Sequence, residues 1–227
     1  MTDAGVVVAM RWEARGLEPL GDRLRVAGPG PERAAHAAHG LVDDGAEALM
    51  SWGVAAGLAP GMAAGQLLLP ERVVSADGHH LAVDTTWHTR ALTDTQALAP
   101  QPGCLAETPS LLAQPADKAA LHARTGALAG DMESAAVVRV AHTCRLPVLV
   151  VRVVLDPASA TVPLAWAGVV GPNGRLRPGR LMLALLRPHL WAHGWALGRY
   201  RASAAATLEA VARRLSSHLQ TTDEVAH

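Results

Sequence analysis

The sequence predicts an α/β fold: one domain over residues 1–227 in which strands alternate with helices, ending in a helical part from about residue 175. Three observations lead there. Val-rich runs too apolar to alternate, above all residues 146–155, have the pattern of strands buried on both faces. Stripes at helical period lie between such runs; Met132, Ala136, Val140 and Cys144 recur at steps of four, with Ala135 beside them. No Pro/Ser-rich linker and no internal repeat divides the chain, whose length allows a sizeable core.

Taken in order, residues 5–10 form a short Val-rich strand, and residues 11–17 begin a helix or turn at its carboxyl end. Glu13 and Arg15 therefore stand where loops line a site. Residues 25–31 are a Gly/Pro turn leading into an Ala-rich helix over about 31–40. Free backbone N–H groups at such a turn can cradle an anion, but the same pattern also serves as a plain connection. Residues 46–53 are a second strand that runs into a loop of very small residues, 54–61, suited to close approach of a ligand or to tight packing. Residues 66–70 and 72–74 read as another strand. Residues 75–117 show no ordered pattern and are expected to carry loops over the site. Residues 116–127 are a helix with Leu121 in its stripe, and Lys118, the one lysine of the chain, is expected to be a solvated charge on it. Glu133 opens the next helix, which Pro147 prevents from continuing. The apolar strand that follows ends in Asp156-Pro157, and ligands of open α/β sheets collect beyond the carboxyl ends of strands. Residues 180–186, 190–197 and 202–219 are helical, with Pro188 breaking the first from the second.

Half the residues are apolar and 18% are charged, a globular composition, and a formal net charge of zero gives no support for long-range attraction to nucleic acid. Cys104 and Cys144 lack metal-type spacing and read as reduced thiols. The first five residues lack the basic segment of a signal peptide, and no apolar run is long enough to span a bilayer, so the cytoplasm is the expected location. The eleven histidines form no ligand-spaced pair with a carboxylate partner, and no metal or other cofactor is expected. There is no nucleophile elbow, no phosphate-binding lysine loop and no dinucleotide turn. What remains is a set of acids and arginines at strand ends: Glu13, Arg15, Glu133, Arg152 and Asp156.

These residues carry a resemblance. Ala9-Met10-x-x-Glu13, Gly53-x-Ala55-x-Gly57-Leu58-Ala59-Pro60, Asp131-Met132-Glu133 and Val151-Arg152-x-x-x-Asp156 stand in the order and spacing of the nucleoside phosphorylase/nucleosidase family, which includes methylthioadenosine/adenosylhomocysteine nucleosidase. Glu13-Ala14-Arg15, Gly28-Pro29-Gly30, the stretch 118–134, Asp156-Pro157-Ala158 and the tail 173–188 further resemble hopanoid-associated phosphorylases, proposed to remove adenine from adenosylhopane. The resemblance implies a three-layer α/β/α sandwich around a mixed, partly barrel-like sheet, assembled as a homodimer or a multiple of it. It also implies roles. Glu133 and Met132 would hold the ribosyl group, with Ala55, Gly57 and Arg152 at the substrate. Asp156 would be the general acid at N7 of the purine. Glu13 and Arg152 would flank the attacking water or phosphate, and a phosphate co-substrate would be held by Arg15, Arg152 and the turn at Gly28 and Gly30.

Elementary chemistry supports those roles. Breaking an N-glycosidic bond gives an oxocarbenium-like sugar and a poor leaving anion, and a positioned acid supplies about 10²–10⁴-fold by protonating the departing base. Asp156 would need a pKa raised by burial, whereas an ionised Glu133 would stabilise positive charge on the sugar. Two departures stand out: Val54 and Leu155 replace serines common in the nucleosidases, and the chain has no phenylalanine to stack on the base. Trp52 and Trp87 are the available aromatics, as stacking groups or as ordinary core. Phosphate is favoured over water by the subfamily likeness alone. The Trp-bearing, Arg-flanked stretch 180–201 suggests either a peripheral contact with membrane or lipid-linked substrate, or helices covering the sheet or a dimer interface. Three functions fit these features: phosphorolysis of adenosylhopane, cleavage of small soluble purine nucleosides, and nucleoside binding without turnover.

Overall fold

The computed structural model describes residues 3–162 and 191–219. The first strand, β1 (Ala4–Val8), is buried along its whole length. Its side chains alternate between two clusters: Val6 and Val8 enter one and Val7 the other, so both faces of the sheet are covered. β2 (Leu24–Val26) pairs parallel with β1 at the edge. Pro31 then starts α1 (Pro31–Asp43), where a fixed φ and a missing N–H suit the first helical turn, and Ala34, Ala38 and Leu41 form its buried stripe.

The central strand is β3 (Ala48–Gly57), which pairs parallel with β1 on one side and with β9 (Val148–Asp156) on the other. It extends four residues beyond Gly53, where a loop was expected. The small residues there are held in the ladder by partners: Ala55 registers with Val154, and Ala56 and Gly57 pair antiparallel with β8 (Ala129–Asp131). Pairing by neighbours outweighs the weak strand preference of Ala and Gly. β9 is the buried strand that the sequence predicts, with Leu149, Val151 and Val153 on one face and Val148 and Val150 on the other.

The rest of the mixed nine-stranded sheet runs through β8, β7 (Cys104–Glu107), β5 (Arg72–Val74) and β6 (His80–Ala82), while β4 (Leu67–Leu68) pairs antiparallel with β9. The stretch 75–117 is thus largely ordered structure. It holds β6, β7 and α2 (Thr85–Asp94), whose Asp84 caps the first turn by accepting from Trp87 N at 2.7 Å. α1 and α4 (Ser134–Cys144) cover one face of the sheet; α2 and α5 (Trp191–Leu219) cover the other. α3 (Pro115–Thr125) closes the end formed by β5 and β7 through Leu121. The result is the three-layer α/β/α arrangement around a mixed sheet that the family resemblance implies.

Two expected helices, 190–197 and 202–219, are one continuous helix, because Gly198 weakens a helix without breaking it. The helix expected over 180–186 and its break at Pro188 lie outside the described residues. Among the described residues no helix is long and apolar enough to cross a membrane. Trp195 is 78% exposed on α5, and the Arg201 guanidinium lies 5.2 Å from the centre of the Trp12 ring.

Candidate active site

A cleft opens at the carboxyl ends of β1, β3 and β9, bounded by the β8–α4 junction. Its lining includes Met10, Glu13, Val54, Ala55, Met132, Glu133 and Asp156, together with Thr108, Leu111 and Leu112 from the segment after β7. The short 3₁₀ helix Arg11–Ala14 turns back at the end of β1 and buries Glu13. One oxygen of Glu13 accepts from Met10 N at 2.7 Å and the other from Val54 N at 3.2 Å. Trp52 Nε1 donates to the Glu13 carbonyl at 2.9 Å. Gly53 permits the approach, since a Cβ there would meet Glu13 Oε1 at 3.0 Å. Burial pushes the Glu13 carboxyl up to about 7, against the Met10 N–H and the Arg152 charge, which pull it down.

Glu133 stands at the start of α4. Gly30, with φ 114° in a turn that an L side chain rarely adopts, donates its N–H to Glu133 Oε1 at 2.7 Å. Met132 N approaches Glu133 Oε2 at 3.3 Å. The Glu133 carboxyl is raised, first by burial and then by the neighbouring Asp131 carboxylate. Asp156, the last residue of β9, is also raised by burial, although Lys118 pulls it down.

Lys118 is the largest departure from expectation. It is fully buried, and its Nζ donates to Asp156 Oδ2. The face of α3 that carries Leu121 turns Lys118 inward with it. A single lysine three residues before the helix's apolar position was the available signal, and exposure was the wrong inference from it.

The other expected residues divide by position. Met132 and Ala55 line the cleft. Gly57 lies just beyond it, where a Cβ would meet Val154 Cγ1 at 3.1 Å and the Asp156 carbonyl at 3.2 Å. Arg152 is 2% exposed and points to the α1/α4 face. Its Nε donates to Asp131 Oδ2 at 2.6 Å, and its terminal nitrogens donate to Ser51 Oγ at 2.7 Å and the Val151 carbonyl at 2.8 Å. Asp131 also accepts from Ser134 N at 3.2 Å and Ser134 Oγ at 2.6 Å, so a residue without assigned chemistry anchors both α4 and Arg152. Arg15 is exposed and outside the lining. Gly28 N donates to the Ala9 carbonyl at 3.1 Å, which leaves the Gly28–Gly30 turn holding β1 and Glu133. Trp52 and Trp87 are both core residues.

A family model described as the phosphorylase superfamily matches residues 24–187. The chain belongs to the phosphorylase superfamily. As a member it is an enzyme acting on N-glycosyl bonds. Solved structures share the superfamily fold with it. The 5′-methylthioadenosine/S-adenosylhomocysteine nucleosidase of Neisseria meningitidis, in complex with methylthio-immucillin-A, aligns over 94% of this chain and 98% of its own, with 16% identity and a TM-score of 0.72. Futalosine hydrolase of Helicobacter pylori aligns over 95% and 97%, with 15% identity and a TM-score of 0.72. The nucleosidase of Campylobacter jejuni aligns over 96% and 98%, with 16% identity and a TM-score of 0.70. No curated protein matches the sequence. The superfamily assignment and the cleft meet in the same residues, since the matched span contains Glu133 and Asp156.

Proposed function

We propose that the protein cleaves the N-glycosidic bond of a purine nucleoside by hydrolysis, with Asp156 as acid and Glu13 as base. The observation that carries this is the placement of Glu13, Glu133 and Asp156 in one cleft, beside an Asp131 taken up by Arg152 and Ser134, with Glu13 pushed up to about 7. A base poised near the working pH both holds enough ionised form and accepts a proton with useful driving force. Asp156 donates to the departing base, Glu133 and Met132 hold the sugar, and Glu13 takes a proton from water as it attacks the anomeric carbon.

Water is favoured over phosphate because, among the described residues, the groups expected to hold phosphate already have partners or lie outside the cleft. The N–H groups of Gly28 and Gly30 have acceptors, Arg152 has Asp131, Ser51 and Val151, and Arg15 lies outside the cleft. The hydrolytic nucleosidases among the structural relatives add support of the same kind.

A second reading retains an apolar 5′ substituent, of which adenosylhopane is the extreme case. It is favoured by the apolar side of the lining, Val54, Leu111, Leu112 and Leu155. A cavity of about 170 Å³ is small beside the ~300–1,000 Å³ of ordinary ligand pockets, so a polycyclic tail would leave it past the exposed Leu111.

Adenine release from adenosine, methylthioadenosine and adenosines bearing longer 5′-alkyl groups, each with and without phosphate, tests both readings. Equal release in both conditions with free sugar as co-product is expected. Release that requires phosphate and yields a sugar 1-phosphate would replace hydrolysis by phosphorolysis. Binding of adenosine without release from any nucleoside would make the protein a binder.

A further inference from the structure

Lys118 sits where stability alone gives little reason for a lysine. Its side chain is 0% exposed. An ammonium carries three N–H donors, and here there are three acceptors: Asp156 Oδ2, the Pro157 carbonyl at 3.0 Å and the Ala160 carbonyl at 3.0 Å. The charge is therefore fixed in place, with no donor left for another partner. A buried ion pair is often no more stable than apolar residues of the same volume. This pair, however, ends on a cleft residue. Lys118 occupies one oxygen of Asp156 from behind, whereas Oδ1 has no side-chain partner among the described residues.

We propose that Lys118 is a positioning residue that sets the acid strength of Asp156 by holding the carboxylate left when Asp156 gives up its proton. This rests on Asp156 being the general acid of the cleavage reaction. In the step, the O–H bond of Asp156 breaks and an N–H bond forms on the purine. The bond between the anomeric carbon and the base breaks, and its electron pair passes into the base. Lys118 keeps its three protons throughout. The new negative charge forms beside an ammonium already bonded to the same carboxyl, instead of in bare apolar surroundings. Burial alone makes a carboxylic acid hold its proton too tightly; an adjacent cation restores acidity toward the working pH.

Among the described residues, the other charges leave this role to Lys118. Glu13 and Glu133 line the same cleft but hydrogen-bond to Met10, Val54, Gly30 and Met132. Arg152 is turned to Asp131. His122, one turn along α3, has its Nδ1 on the Ala127 carbonyl at 2.8 Å, and Asp117 and Arg124 of that helix are exposed.

The test is the pH dependence of kcat/KM for the parent, Lys118→Met, Lys118→Gln and Lys118→Arg, with Asp156→Asn as reference. Loss of the charge should lower the plateau at least tenfold. It should also move the alkaline limb, where Asp156 loses its proton, upward by about one pH unit or more. Lys118→Arg should keep the limb near its parental place. Lys118→Gln retains N–H donors for the Pro157 and Ala160 carbonyls, so it removes the charge while supporting the loop even if Lys118→Met fails to fold. A ¹³C titration of the Asp156 carboxyl in the same proteins reads the shift without turnover. An unmoved limb and carboxyl titration in a folded, charge-free variant would overturn the proposal, as would an equal movement in Lys118→Arg. Full activity in Asp156→Asn would instead remove the assignment of Asp156 as acid, a separate failure.

Discussion

Two buried ion pairs lie close together in this molecule and do different work. Arg152–Asp131 sits under the start of α4, 2% and 6% exposed, with the guanidinium engaged by Asp131, Ser51 and the Val151 carbonyl. Lys118–Asp156 is buried to the same degree, and in both pairs the acid lines the cleft, but both Asp131 oxygens already accept, from Ser134 and Arg152. The first pair ties β9, β3 and the β8–α4 junction together. The second leaves one carboxylate oxygen without a side-chain partner among the described residues, open to proton transfer in the cleft. Burial therefore does not distinguish a structural pair from a functional one; unspent hydrogen-bonding capacity toward a cavity does.

Substitution in each pair separates the two roles. Asp156→Asn keeps an oxygen for Lys118 and removes the transferable proton, so turnover should fall by ~10²–10⁴-fold in assays of nucleoside cleavage. Arg152→Met leaves Asp131 buried without its cation, and such a loss destabilises by ~3–5 kcal/mol in denaturant unfolding. Its remaining activity should follow the folded fraction. A well-folded Arg152→Met with turnover abolished would return Arg152 to the nucleophile and erase the distinction.

The same contrast explains what was legible in the sequence. β1, β9, α1 and α4 were readable because apolar period and Pro stops are local signals. Glu13, Glu133 and Asp156 were readable as acids at strand ends for the same reason. The direction of Arg152 was not, because it depends on Asp131 and Ser51, which only the assembled sheet brings together. Lys118 was misread because its partner is 38 residues away and a helix pattern does not say that a charge will be met. The segment 75–117 was opaque because β6 and β7 are only three and four residues long, and sheet neighbours rather than local pattern define them. Lining residues Thr108, Leu111 and Leu112 were lost with it.

Glu13, on the other wall of the cleft, is a buried acid whose pKa burial raises with no ion pair at the carboxyl among the described residues. Its carboxyl titrates near 7 in the folded chain and near 4.5 when unfolded. Between those values the folded state holds the extra proton, so the contribution is full below about 4.5 and is lost as pH rises through about 7. The loss amounts to about 3 kcal/mol at most. Urea unfolding from pH 4 to pH 8 should show the parent falling relative to Glu13→Gln across that window. In parallel, kcat/KM of the parent should rise with pH through about 7, and Glu13→Gln should lack that limb. A Glu13→Gln variant retaining both the limb and the rate would move the base to another residue.

The smallest effect is expected at a third pair, Arg139–Glu107, which has the best geometry and the least burial. Arg139 donates to both Glu107 oxygens, at 3.0 and 2.6 Å, but its side chain is 44% exposed. Solvent already stabilises the guanidinium, and the Glu107 side chain left behind, 10% exposed, still accepts from Ala76 N at 2.9 Å. Arg139→Ala should cost at most about 1 kcal/mol in unfolding experiments, with the difference shrinking further at high salt. It should leave turnover unchanged, because neither residue lines the cleft. A loss approaching that of Arg152→Met would mean that bidentate geometry, and not desolvation, governs how strongly these pairs hold the fold.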